Sequence, residues 1–246
     1  MKKKDEIIRF IKEGNSINKI RKMTGCAKST IYYHYKKIKG RKKKPVEISF
    51  EKERELGEFL GIFAGDGSFT LGKNSHYKIR IHLGFYEKEY ADFLVKQLTT
   101  WFNKKPHIYY KKYQNKDSSI DLHYDSKLIY NFLKEHLVWE GRKTYTVRLK
   151  KLDLRKREFN LGFLRGLIDT DGNYYAPKRR ISFSSTSKLL ADQAEKIICS
   201  NVYLDPNRYL IKSEKYADLH TLTLHGEKAK KLIDAIKPNN INKTIR

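Results

Sequence analysis

Leu164-Arg165-Gly166-Leu167-Ile168-Asp169-Thr170-Asp171-Gly172 decides how this chain is read. An earlier segment, Phe59-Leu60-Gly61-Ile62-Phe63-Ala64-Gly65-Asp66-Gly67, carries the same apolar, glycine-punctuated pattern. In each, small residues recur at i and i+4: Gly61 with Gly65, and Gly166 with Thr170. On a helix this spacing makes a single stripe along which two backbones can approach closely. The two segments are therefore expected to pack on each other about a pseudo-two-fold axis. Gly67 and Gly172 follow at once, where a left-handed residue is expected to turn helix into strand. Position eight, Asp66 and Asp171, then falls at the facing C-terminal ends of the two helices.

A carboxylate at a helix C-terminus opposes the helix dipole, and a second carboxylate opposite it adds like-charge repulsion. A hard divalent cation compensates both. With the carbonyls of Gly65 and Thr170 and with water, Asp66 and Asp171 offer an oxygen-only shell suited to Mg²⁺. Such an ion can activate water for in-line attack on a phosphodiester and stabilise the leaving oxygen. Position six is Ala64 in one segment and Asp169 in the other, so a reaction needing one acid from each half can use only Asp66 and Asp171. Asp169 is read as structural. The alternative is that both position-eight acids are helix-end residues inherited by duplication.

The duplication reaches well beyond these segments. With a shift of one hundred, Arg80-Ile81 matches Arg180-Ile181, Ala91-Asp92 matches Ala191-Asp192, and Lys143-Thr144 matches Lys243-Thr244. That period is too long for a solenoid and indicates two fused copies of a small domain. Each copy reads as an apolar helix (56–65; 161–170), a strand pair (67–85; 172–184) and a helix (88–102; 188–199). Two further strands follow (107–112 and 120–123; 208–212 and 219–224), then a last helix (126–137; 227–236). The fold class is α+β, with an antiparallel sheet covered by helices on one face. Ile79, Ile81 and Leu83 alternate with Lys78, Arg80 and His82, and Ile181 and Phe183 alternate with Arg180, Ser182 and Ser184, so the open face is polar and cationic.

Residues 1–44 carry 16 lysines and arginines against three acids. A first helix ends at Gly14-Asn15, Ser16 caps a second that stops at Thr24-Gly25, and a third starts at Lys28, which is the order of a helix-turn-helix. The expected division is a helix-turn-helix domain over 1–39, a basic linker over 40–49 containing Arg41, Lys42 and Lys43, and the two copies over 50–152 and 153–246. Across all 246 residues, 53 basic against 28 acidic side chains leave a charge of +25, which excludes a small neutral substrate and calls for a polyanion. The longest apolar run, Phe59 to Ala64, suits neither a signal peptide nor a membrane span. A protein that is not secreted is expected, working in the cytoplasm or nucleoid, or in an organelle matrix if organelle-encoded. Cys26 and Cys199 are read as reduced, packed thiols.

The two nine-residue segments resemble the LAGLIDADG motif of homing endonucleases, and the αββαββα order over 50–246 agrees with that family. The resemblance implies two pseudo-symmetric domains forming a saddle-shaped sheet surface, acting as a monomer on a long, asymmetric double-stranded DNA site, as in intron homing. It implies cleavage with Mg²⁺ or Mn²⁺, and Ca²⁺ supporting binding without cleavage. Asp66 and Asp171 would be the catalytic metal ligands, while Lys143 and Lys243 would lie near the scissile phosphates and stabilise developing charge or orient the attacking water. Lys78, Arg80, His82, Arg180 and Ser182 would read the major groove.

Residues 16–20 and 24–32 resemble the helix-turn-helix of resolvases and invertases, which implies that Lys28, Ser29, Thr30, Tyr32 and Tyr33 point into a major groove. Two other readings belong to the same family: a non-catalytic transcription regulator and an RNA maturase for intron splicing. Retention of both acids counts against the first, and the DNA-type helix-turn-helix against the second. No protein-splicing region is read beside the copies.

Overall fold

The computed structural model describes residues 3–40, 45–72, 76–114, 116–214 and 217–240, so that Arg41, Lys42, Lys43 and Lys243 lie outside the described residues. The chain divides into two compact units, one ending at Pro45 and one starting at Val46.

The first unit holds α1 (Lys3–Lys12), α2 (Ile17–Thr24) and α3 (Lys28–Lys39). The Ser16 hydroxyl accepts from the Lys19 amide at 3.2 Å and starts α2, and Gly25, at φ 68°, closes it by donating its N–H to the Arg21 carbonyl. Ile7, Ile11, Ile20 and Ile31 form a small buried core of their own. Lys28, Ser29, Thr30, Tyr32 and Tyr33 all lie on the exposed part of α3.

The second unit begins with α4 (Glu53–Asp66), β1 (Gly67–Gly72), β2 (His76–Gly84) and α5 (Lys88–Phe102), followed by β3 (His107–Tyr113), β4 (Lys116–Asp125) and α6 (Lys127–His136). A link of β5 (Leu137–Val138), α7 (Lys143–Thr146) and β6 (Arg148–Leu149) leads to the second series. That series is α8 (Arg157–Asp171), β7 (Gly172–Tyr175), β8 (Arg180–Ser185), α9 (Lys188–Ile197), β9 (Asn207–Ile211), β10 (Leu219–His225) and α10 (Gly226–Ile236). The strands form two antiparallel sheets of identical order, β1-β2-β4-β3 and β7-β8-β10-β9. Each copy is thus the αββαββα unit of an α+β fold. Alternation sets the faces: Ile79, Ile81 and Leu83 of β2 and Ile181 and Phe183 of β8 are buried with the helices, leaving the intervening side chains on the other face.

Three expectations need correction. The pairing register aligns Gly67 with Ile81 and Gly172 with Phe183, so the counterpart of Ile81 is Phe183. Arg80 therefore matches Ser182, and Lys78 matches Arg180. The shift of one hundred fails in the first hairpin because the second is shorter, whereas it holds from β4 to β10, where Leu122 and Leu222 pair with Ile81 and Phe183.

Gly67 and Gly172 are extended, with φ of −74° and −84°, not left-handed. What they require is room: a Cβ on Gly67 would stand 2.3 Å from the Phe63 carbonyl, and one on Gly172 2.4 Å from the Ile168 carbonyl. Cys199 is exposed and only Cys26 is partly packed, because α9 runs on into a wider helical turn that leaves residue 199 on its outer side. Among the described residues no helix is long and apolar enough to cross a membrane.

Candidate active site at the helix seam

The seam between α4 and α8 is a contact of backbones. A Cβ on Gly61 would lie 2.2 Å from the Phe163 carbonyl oxygen, and one on Gly166 2.3 Å from that of Glu58. The stripe begins a turn earlier than the motif, with Gly57 against the Phe159 carbonyl and Gly162 against that of Arg54, both at 2.0 Å. These two glycines were missed, although they continue the same i, i+4 spacing toward the N-terminus. Backbone meets backbone at these four glycines.

At those ends, a Cβ on Gly65 would meet the Thr170 hydroxyl at 2.1 Å and Oδ2 of Asp171 at 3.0 Å. The Asp171 carboxylate therefore lies beside the last turn of α4, one residue from Asp66. The Thr170 hydroxyl donates to the Gly166 carbonyl at 2.8 Å.

Lys143 occupies the same place from a third direction. Its Nζ donates to the carbonyls of Phe63, Ala64 and Gly65 at 2.8, 2.6 and 3.0 Å, completing the C-terminus of α4 as a cation should. Burial draws its pKa down to about 8, against the opposing pull of Asp171 and Asp66. The turn carrying it is held from both sides: the Thr186 hydroxyl donates to the Thr144 carbonyl at 2.8 Å, and the Ser187 hydroxyl to that of Val147 at 2.7 Å.

Asp169 faces away from these groups. Its Oδ1 accepts the amides of Asn239 and Asn240 at 2.9 and 3.0 Å, tying the segment after α10 to α8. Burial raises its pKa to about 7, countered by those amides. Beside it, Glu58 pairs with Arg165 at 3.1 Å and accepts from the Asn239 amide group at 2.7 Å; burial outweighs both and raises its pKa. Arg165 and Arg54 also donate to the last carbonyls of α10. This polar layer was not foreseen, and its one signal was an arginine inside an apolar motif.

The donor set at the helix ends is two carboxylates and backbone oxygens around one ammonium. Among the described residues no group of three or more His, Cys, Asp or Glu gathers to hold a metal. Two carboxylates with backbone oxygens match the oxygen donors that a hard divalent ion takes, and the Gly65 oxygen already accepts from Lys143.

On the first sheet, Arg80 donates to the Thr70 hydroxyl at 2.8 Å, and Asp121 accepts from both His82 and Lys111. Partial burial works against the charge on Asp121, but those two donors outweigh it and hold the carboxyl below its usual range. On the second sheet, Arg180 and Ser182 line a trough of ≈ 610 Å³ with Thr221, Thr223 and Tyr209.

A family model described as a LAGLIDADG-like domain matches residues 53–136 and 158–237, that is, both copies from the seam helix to the last helix. The chain belongs to the LAGLIDADG-like domain family. Both LAGLIDADG segments end their seam helix on the position-eight aspartate. The chain is 27% identical over 150 residues to the DNA-directed RNA polymerase subunit Rpo1C of Methanocaldococcus jannaschii, a match covering 61% of this chain and only 16% of that protein. Among solved structures, mesophilic variants of the homing endonuclease I-DmoI superpose with a TM-score of 0.54 at 15% identity, over 75% of this chain and 95% of theirs. The N-terminal LAGLIDADG domain of DUF199/WhiA superposes with a TM-score of 0.53 at 15% identity, over 81% and 91%. At such identities these likenesses establish the LAGLIDADG fold.

Proposed function

We propose that this chain is a divalent-metal-dependent endonuclease that binds a long, asymmetric double-stranded DNA site as a monomer and cuts both strands. The observation that carries the reading is the convergence of Asp66, Asp171 and the buried ammonium of Lys143 on the ends of α4 and α8. Structures of I-DmoI that hold it with DNA and Ca, and with DNA and Mn, support it by likeness.

In this reading Asp66 and Asp171 hold Mg²⁺ or Mn²⁺, with the Gly65 and Thr170 carbonyls beside them. The bound ion supplies an activated water and charge neutralisation at the phosphate. The glycine seam keeps the two carboxylates at fixed separation, each serving one strand. Lys143, its three N–H donors given to the end of α4, holds a positive charge beside both acids and stabilises developing negative charge through its field; Lys243 is its counterpart in the repeat. Lys78, Arg80, His82, Arg180 and Ser182 contact the major groove. Lys28, Ser29, Thr30, Tyr32 and Tyr33 extend the site, and Arg41, Lys42 and Lys43 track phosphates.

The test is incubation with a randomised duplex library in Mg²⁺ and in Ca²⁺, alongside Asp66→Asn and Asp171→Asn. Cutting in Mg²⁺ alone, lost in the variants while binding persists, is the expected result. Specific binding with no cutting under any metal would replace the nuclease with a DNA-binding regulator.

A further inference from the structure

The pairing registers allow the open faces of the two sheets to be compared position by position, and the comparison is lopsided. Arg80 is replaced by Ser182, and by the same pairing His82 by Ser184. On the adjoining strands Asp121 becomes Thr221 and His123 becomes Thr223. On the edge strands His107 becomes Asn207 and Lys111 becomes Ile211, while Tyr109 is kept as Tyr209. Lys78 keeps its charge as Arg180, and Asp125 opposite Lys78 becomes His225 opposite Arg180.

The chemistry changes with the residues. The first face is an ionic layer: His82 and Lys111 both bond Asp121, and the rings of His107 and Tyr109 stack on His123 at 5.1 and 4.9 Å. In the second, the site of the His82–Asp121 pair holds a neutral hydroxyl pair, Ser184 with Thr221 at 2.9 Å. Exposed Leu210 and Ile211 stand at its edge, lining the trough with Thr221 and Thr223.

Cationic and imidazole donors complement the O6 and N7 acceptors of guanine and the phosphates, whereas threonine methyls and aliphatic side chains complement the C5-methyl of thymine, and hydroxyls bond either base type. From this, and resting on the DNA-binding reading above, we infer that the two sheets take half-sites of different composition. The first takes a guanine-bearing half held largely by charge, and the second a thymine-bearing half read by hydroxyl and methyl contacts.

The experiment is selection of bound duplexes from a randomised library by the full chain in Ca²⁺, followed by titrations of the selected site at several salt concentrations with Arg80→Ser and Thr221→Ser. Selected sites should carry guanines on one side of the centre and thymines on the other. Arg80→Ser should relax the guanine side and reduce the salt slope by about one. Thr221→Ser keeps the hydroxyl and removes the methyl; it should leave the slope unchanged and weaken the preference for thymine over uracil on the other side, roughly several-fold. Selected sites of equal composition on both sides, or the two variants relaxing the same half, would overturn the inference while leaving DNA binding intact. Failure to select any duplex would overturn the DNA-binding reading and the inference with it.

Discussion

The ammonium of Lys143 sits 3.0 Å from the carbonyl oxygen of Gly65, the residue that also abuts the Asp171 carboxylate. A lysine from the link between the two copies thus supplies the positive charge that the paired aspartates and the end of α4 call for. Lys143→Met keeps most of the volume and removes that charge, taking its donor from the Ala64 and Gly65 carbonyls while the Phe63 carbonyl keeps the Gly67 N–H. Unfolding free energy should fall by roughly 2–4 kcal/mol, as when one partner of a buried charge arrangement is lost. Added Ca²⁺ should raise the melting temperature of Lys143→Met more than that of the parent chain, which differential scanning fluorimetry reads directly. Equal shifts in both would place the ion and the ammonium in separate roles.

Gly166→Ala is expected to damage the seam severely. Its Cβ would stand 2.3 Å from the Glu58 carbonyl and 2.5 Å from the Ile62 amide nitrogen, both backbone atoms that cannot rotate aside. Overpacking costs about 1–3 kcal/mol where side chains yield, so the loss here should exceed that range. Gly141→Ala is the control: nothing lies near its Cβ, though its φ of 59° adds a strain of about 1 kcal/mol. Urea denaturation of both variants checks the order.

The seam was legible because its requirement is local: close backbone approach needs small residues every fourth position, and both copies write that spacing twice. The same logic, carried one turn back, would have found Gly57 and Gly162. The assignment of Asp169 to structure also rested on something local, the Ala64 at the matching position, and its bonds to the amides of Asn239 and Asn240 bear that out. The triple carbonyl contact of Lys143 spans about 80 residues of sequence, and nothing local in Gly141-Arg142-Lys143 announces it. The strand register was misread for a related reason. Identity at a shift of one hundred aligns letters, while hydrogen bonding aligns hairpins of unequal length, and the Arg80-to-Ser182 exchange becomes visible only in the second alignment.

Glu58 gives a pH dependence whose sign is fixed by its burial. Its folded pKa is raised, so between the ordinary carboxylate range and that raised value the folded chain binds a proton that the unfolded chain does not. Stability contributed by this group therefore increases as pH falls through that window and is lost as pH rises above it. Glu58→Gln cannot titrate. The stability of the parent chain relative to Glu58→Gln should accordingly improve as pH falls from neutrality toward the ordinary carboxylate range, measured by chemical denaturation at each pH. A difference that is constant over that interval would mean that Arg165 and the Asn239 amide keep Glu58 ionised throughout.

Removal of residues 1–45 tests the division of labour between the two units. The core around Ile7, Ile11, Ile20 and Ile31 shares no residue with the larger core, so the chain from Val46 onward should fold by itself and keep its melting transition. Sixteen of the basic side chains leave with the first unit, and DNA affinity depends on the number of phosphates neutralised. The truncated chain should bind its site more weakly by at least ten-fold at moderate salt, with a shallower dependence on salt concentration. Any cleavage should persist at enzyme concentrations high enough to restore binding, because Asp66, Asp171 and Lys143 all remain. Complete loss of cutting under saturating conditions, with binding retained, would mean that the first unit takes part in the reaction itself.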